Sequence, residues 1–354
     1  MWRGWALVAT IVLAVTLSGT VIALLLFFDT RSTGSEAVKT GGLVAGGVVA
    51  LYALWLNDRR RQLEESRHEL ERRSNEQDRE RVADERFARA VELLGHEADQ
   101  VRVGALHALI GLARNRPSST QTVLDVLCSY LRRPFDHPDF VQDRTGERPE
   151  WAPEDERDAH RERQVRLTAQ RLIGELLPAS GDQRADLPDL DLTAAVLDYL
   201  DVSGKALGRL LLRDSALHGT TRFGAAEISG EVWFTRTACY GKVECANVVF
   251  RAQSNFYHLS AHDRVTFEGA RFCQGAVFLS AEFHGPVSWA GSTFEKSVDL
   301  RHTVFHHDLD LRATLPPSPR MSGMKVNPTK TVRPPAGWEV HPEDDGRTGR
   351  IRPL

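Results

Sequence analysis

The sequence predicts a β-solenoid at the C-terminal end of a helical region, with two membrane-crossing helices at the N-terminus. Three observations lead there: an apolar ladder, a helical middle, and an uncharged N-terminal run. The ladder occupies Phe223, Ile228, Phe234, Cys239, Cys245, Phe250, Phe256, Ala261, Phe267, Phe272, Phe278, Phe283, Trp289, Phe294, Leu300, Phe305 and Leu311, at alternating intervals of five and six. No helical face has a period near 5.5, and no hairpin sheet keeps such an interval for so long. A chain that returns to one interior at a fixed interval is a solenoid.

The N-terminal run, Trp5–Phe28, holds no charged residue over 24 positions. As a helix it would extend about 36 Å, against a hydrocarbon core of about 30 Å. A cleaved signal peptide fits less well, because its apolar region is short and ends at small residues, whereas this one ends in Leu-Leu-Leu-Phe-Phe-Asp. A second apolar stretch, Gly41–Leu56, extends back through Ala37 and Val38. Its glycines, Gly42, Gly46 and Gly47, would let another helix approach closely, and Tyr52 and Trp55 suit an interfacial belt. Residues 1–56 therefore read as a transmembrane hairpin with spans at about 5–28 and 37–56. Arg59, Arg60 and Arg61 follow the second span, while the loop Asp29–Thr40 carries balanced charge. The positive-inside rule then places both termini in the cytoplasm and the loop outside. Arginine outnumbers lysine several-fold, as in a high-GC bacterial genome, so the expected location is a bacterial plasma membrane.

Residues 57–95 are dense in Arg and Glu and read as a charged helical stalk. Leu63 and Leu70 lie a heptad apart, but Gln77 and Asp84 end the seam, which leaves too little for a coiled coil. Residues 96–186 read as a small helical module. Phe87, Val91 and Leu94 share a face before a stop at Gly95, and VRVGALHALIGLAR resembles a single HEAT-type unit. Ser118, Ser119 or Thr120 can cap the next helix. Residues 134–158, rich in Pro and charge, read as a flexible loop, in which His137 beside Asp136 and Asp139 is expected to be solvated. Val165–Leu177 restores a helix that would pack on the hairpin or cap the solenoid.

The ladder starts earlier, as Leu187, Leu192, Leu197, Val202, Leu207, Leu212 and Leu217 at intervals of five. Small residues stand two before many ladder positions, as in Ala195–Leu197, Ala276–Phe278 and Ser292–Phe294. This pattern resembles the pentapeptide-repeat family, which implies a right-handed quadrilateral β-helix over 187–313. Lys205 departs from it, since a small inner residue belongs there. Four ladder positions per coil give about 20 residues early and 22 later, so residues 22 apart should stack in columns at about 4.8 Å. The extra residue per eleven suggests a bulge or wider turn.

Net charge is −3, and 187–313 mixes 15 acidic with 12 basic residues. That balance disfavours nucleic acid as a partner and disfavours the DNA-mimic role on topoisomerases that the resemblance allows as an alternative. No phosphate loop, nucleophile elbow or zinc-type cluster occurs, so no catalytic or cofactor-binding residue is assigned and an enzyme is not expected. Cys128, Cys239, Cys245 and Cys273 show no pairing pattern; Cys239 and Cys245 read as small buried residues. The richest polar set, His302, His306, His307, Asp308 and Asp310, reads as a solvated turn rather than a metal site, with a metal-binding accessory role as the other alternative. The expected function is a membrane-tethered, non-catalytic interaction scaffold. Its partners would be the bilayer and an unidentified protein, with self-contact through the glycine-rich span or the solenoid end. Residues 314–354, rich in Pro and Gly, read as a disordered tail.

Overall fold

The structure, a computed structural model, describes residues 2–28, 34–182, 186–343 and 348–353. The chain divides into two units, 1–84 and 85–354, each considered by itself.

The first unit holds helix α1 (Trp2–Phe28) and most of helix α2 (Gly34–Leu93). Among the described residues no helix is long and apolar enough to cross a membrane. This overturns the expected two-span hairpin, and with it the plasma-membrane location and the inward placement of the termini. Within α1, Thr16 and Thr20 turn their hydroxyls back onto the carbonyls of Val12, Leu13 and Thr16. The second apolar stretch is one part of a 60-residue helix that runs without a break into the Arg/Glu-rich segment. The expected loop Asp29–Thr40 is also revised: from Gly34 it is helical, and residues 29–33 lie outside the described residues.

In the second unit, α2 ends at Leu93, where the Gly95 N–H donates to the Glu92 carbonyl at 3.0 Å. Helix α3 (Asp99–Asn115) buries Ala105, Leu106, Leu109, Ile110 and Ala113, a stripe at helical spacing. A 3₁₀ turn at Pro117–Ser119 leads into α4 (Thr120–Leu131); Ser119 holds the cap position but its side chain makes no capping bond. Helices α5 (Pro138–Thr145) and α6 (Pro153–Leu176) follow. The segment 134–158 is thus largely helical rather than a flexible loop. Pro138 and Pro153 look like breakers in the sequence, yet each sits in the first helical turn, where its missing N–H costs nothing. Glu154, Asp155 and Glu156 add favourable charge at the α6 N-terminus.

The solenoid has four parallel sheets, one per side of the coil. Leu190 pairs with Leu210 and Leu197 with Leu217, an interval of 20. Later pairs, such as Phe250 with Phe272 and Phe283 with Phe305, keep an interval of 22. Left-handed backbone recurs every eleven residues from Asp214 through Ala225, Arg236, Asn247, His258, Gly269, Ser280 and Gly291 to His302. These turns lie in the five-residue steps. The six-residue step instead bends at a tight corner, where Gly241 lies directly against the Gly219 backbone.

Phe223, Ile228, Phe234, Cys239, Cys245, Phe250, Phe256, Phe267, Phe272, Phe278, Phe283, Trp289, Phe294 and Phe305 are all buried. Their rings stack down the columns: Phe256 on Phe278 at 4.5 Å, Phe272 on Phe294 at 4.6 Å and Phe267 on Trp289 at 5.4 Å. Where the Cys239–Ala261 column is narrow, a small apolar cavity remains between Phe234, Cys239, Cys245 and Phe267.

Both coil ends are covered. At the N-terminal end Gln121 bonds the backbone of Asp189, Gln170 accepts the Asp198 N–H, and Arg166 donates to the Val196 carbonyl. Side chains of α4 and α6 thus satisfy edge groups that would otherwise pair with other chains. The buried Arg166 also donates to the carbonyls of Leu131 and Arg133 at the end of α4. Lys205 snorkels out, its Nζ 3.4 Å from the Leu177 carbonyl at the end of α6.

At the other end, the tail is ordered wherever it is described. Lys325–Val326 and Val332–Arg333 add a parallel layer, and a hairpin of Trp338–Pro342 with Gly349–Pro353 closes the edge. The ladder rhythm hides this layer, because Val304 pairs 21 residues on with Lys325 and Leu309 pairs 23 on with Val332.

Candidate functional site

The residue after an inward ladder residue points out, since side chains alternate along an extended segment. On one side this rule places Asp198, His218, Tyr240, His262, His284, His306 and Asn327 after Leu197, Leu217, Cys239, Ala261, Phe283, Phe305 and Val326. The result is an outer column of flat rings. His218 stacks on Tyr240 at 5.0 Å, Tyr240 on His262 at 5.0 Å, His262 on His284 at 4.8 Å and His284 on His306 at 4.8 Å. Interplanar angles stay at 14° or less. His262, His284 and His306 are exposed, Tyr240 is half-buried, and His218 is buried.

Helix α5 seals the N-terminal end of the column. Phe140 stacks on His218 at 4.0 Å, and Asp143 Oδ2 lies 2.6 Å from His218 Nδ1. Arg163 of α6 bridges two carboxylates, with Nη2 2.7 Å from Asp198 and Nη1 2.9 Å from Asp139, and its guanidinium lies over the Phe140 ring. Burial pushes the Asp198 carboxyl above its ordinary pKa, against the pull of Arg163. Burial lowers the His218 pKa, against the pull of Asp143. His218 Nε2 is buried with no hydrogen-bond partner among the described residues, which suits a neutral ring whose Nδ1–H donates to Asp143.

His137, expected to be solvated, is completely buried. Its Nδ1 accepts the Asp139 N–H at 3.2 Å and so caps α5, leaving Nε2–H to donate to His160 Nδ1 at 2.9 Å. Burial and the neighbouring Arg163 hold its pKa below the ordinary value. Asp136 instead faces Arg144 at 3.0 Å.

The polar set near the last coil is divided by the structure. His302 occupies a left-handed turn, and His307 Nδ1 accepts the Asp308 N–H at 2.8 Å. Asp308 accepts the Thr331 N–H at 2.9 Å, and Asp310 binds Arg312 and Arg333. His306 joins a group of three ligand-type residues: its Nε2 lies 2.8 Å from Glu282 Oε1, which is also 3.7 Å from His284 Nε2. The 22-residue recurrence of His262, His284 and His306 is visible in the sequence, one position after a ladder residue. His218, 44 residues before His262, belongs to the same series.

The solenoid geometry agrees with a family match. Residues 267–315 match the family described as pentapeptide repeats (9 copies). Residues 267–315 are pentapeptide repeats. No curated protein and no solved structure matches the chain. The same coil geometry extends well before the matched segment, to Leu190, and one layer beyond it, to Arg333.

Proposed function

We propose that this pentapeptide-repeat protein is a non-catalytic scaffold that binds a protein partner along the outer ring column. The observation that carries the reading is the continuous stack from Tyr240 to His306, which presents aromatic and imidazole surface in a straight line on a rigid coil. Aromatic, preorganised surface of this kind binds with little loss of side-chain entropy. The buried imidazole of the His218–Asp143 pair supports a structural role rather than a catalytic one. His218 is sandwiched between Phe140 and Tyr240, where no substrate reaches it.

Charge argues against the DNA-mimic alternative. Many acidic groups are paired with arginines across coils: Asp214 with Arg236, Glu227 with Arg251, Glu295 with Arg271 and Asp189 with Arg209. A surface neutralised pair by pair offers no phosphate-like stripe.

The test is photocrosslinking in cells with a benzophenone amino acid at His262, and separately at Arg251 on another side of the coil. The scaffold reading expects a discrete crosslinked protein from His262 and none from Arg251. Equal smears from both positions, or no adduct at His262, would refute it.

A further inference from the structure

We propose that Glu282, His284 and His306 form a binding site for one divalent transition-metal ion of the zinc or cobalt type. Glu282 and His284 flank the inward Phe283 and therefore project from the same outer surface. On the next coil Phe305 pairs with Phe283 in register, which sets His306 directly beside His284 with the rings 1° from parallel. One ligand atom from each residue lies within 4.8 Å of the other two. Glu282 Oε1 already reaches both imidazoles, at 2.8 Å from His306 Nε2 and 3.7 Å from His284 Nε2.

Imidazole and carboxylate donors at about 2.0–2.2 Å from one ion suit zinc and its neighbours, and three protein ligands leave a further position open. Rotation about the side-chain torsions brings the three atoms to that distance, while the backbone is held by the parallel ladder. Two features argue for a single site at this level of the column. At the position of Glu282 the other coils carry Val196, Ala216, Ala238, Ser260, Val304 and Lys325, so the carboxylate occurs once. His262, stacked on His284 at 4.8 Å, is engaged by Ser260 Oγ at 3.3 Å from its Nε2 and supports the ligand ring from above. Because the three ligands are exposed, the open position faces solvent and can take water or a donor from another molecule. This inference stands apart from partner binding along the column, since it needs only the metal.

The experiment is titration of the full chain with Co²⁺, read by visible d–d absorption, followed by displacement with Zn²⁺. The expected result is one ion per chain, and affinity at least about tenfold lower in Glu282→Gln and abolished in the double variant His284→Ala/His306→Ala. Circular dichroism of these variants should match the parent, since all three side chains lie outside the core. The double variant His302→Ala/His307→Ala should bind as the parent does. Absence of stoichiometric binding, binding retained in His284→Ala/His306→Ala, or loss of binding in His302→Ala/His307→Ala would each overturn the assignment.

Discussion

The Phe140 ring lies 4.0 Å from the His218 imidazole and 17° from parallel to it, so a residue on helix α5 completes a column that otherwise belongs to the solenoid. Both side chains are buried. Phe140→Ala should therefore release α5 and cost about 3–5 kcal/mol of local stability. Hydrogen exchange checks this: amides of residues 138–146 should lose protection, while those of 250–305 keep theirs.

Acid should weaken the same junction. His137 and His218 both have folded pKa values below the ordinary one, so the unfolded chain takes up protons first, near pH 6.5. Their contribution is intact above about pH 6.5 and is lost as pH falls toward the depressed folded values. Asp198 acts the other way, between its ordinary carboxylate pKa and its raised folded value, where its contribution grows as pH falls. Melting of the full chain should drop between pH 7.5 and pH 6, and the drop should shrink in His218→Phe, which keeps the ring but removes the proton site. An unchanged melting temperature would contradict the burial of these imidazoles.

A charge placed in the ladder should destroy the coil. Phe278 has no exposed surface and stacks on Phe256. Phe278→Arg buries an unpaired guanidinium at a cost of several kcal/mol, and cooperative melting with β-type circular dichroism should vanish. Phe278→Leu, which keeps most of the apolar volume, should remain folded.

Two glycines separate steric from conformational cost. Gly291 adopts φ +70° with open space around it, so Gly291→Ala should cost about 1–2 kcal/mol from backbone strain alone. At Gly241 a new methyl would collide with the Gly219 carbonyl, which is backbone and cannot move aside. Urea unfolding should show Gly241→Ala to be the more damaging of the two.

Thiol labelling should find one reactive cysteine. Burial pushes the Cys128 and Cys239 thiols up to about 12, and Cys245 is raised as well, whereas Cys273 is partly exposed. With an aromatic disulfide reagent at pH 8 the native chain should release one equivalent, and the denatured chain four.

The solenoid was legible because its inner positions obey a single steric rule: whatever follows Phe272 or Phe278 five or six residues later must fit the same interior. The outer column obeys a second rule at period 22, with Tyr240 standing among histidines, and a reading confined to apolar residues passes over it. His137 was misread because composition around it is polar; it packs on Phe140, three residues on, and on His160 of α6, which lies 23 residues away in the sequence. The N-terminal helices were misread from local hydropathy, and the tail from its prolines.

The sequence by itself determined the β-solenoid, its change from 20- to 22-residue coils, and the helical character of the region before it, because each follows from side chains one repeat or one turn apart. Only the tertiary structure decided that α4 and α6 close the first coil, that a strand hairpin closes the last, and that Glu282, His284 and His306 meet. Those contacts join residues whose separation in the chain carries no periodic signal, or carries it only once the coil length and register are known.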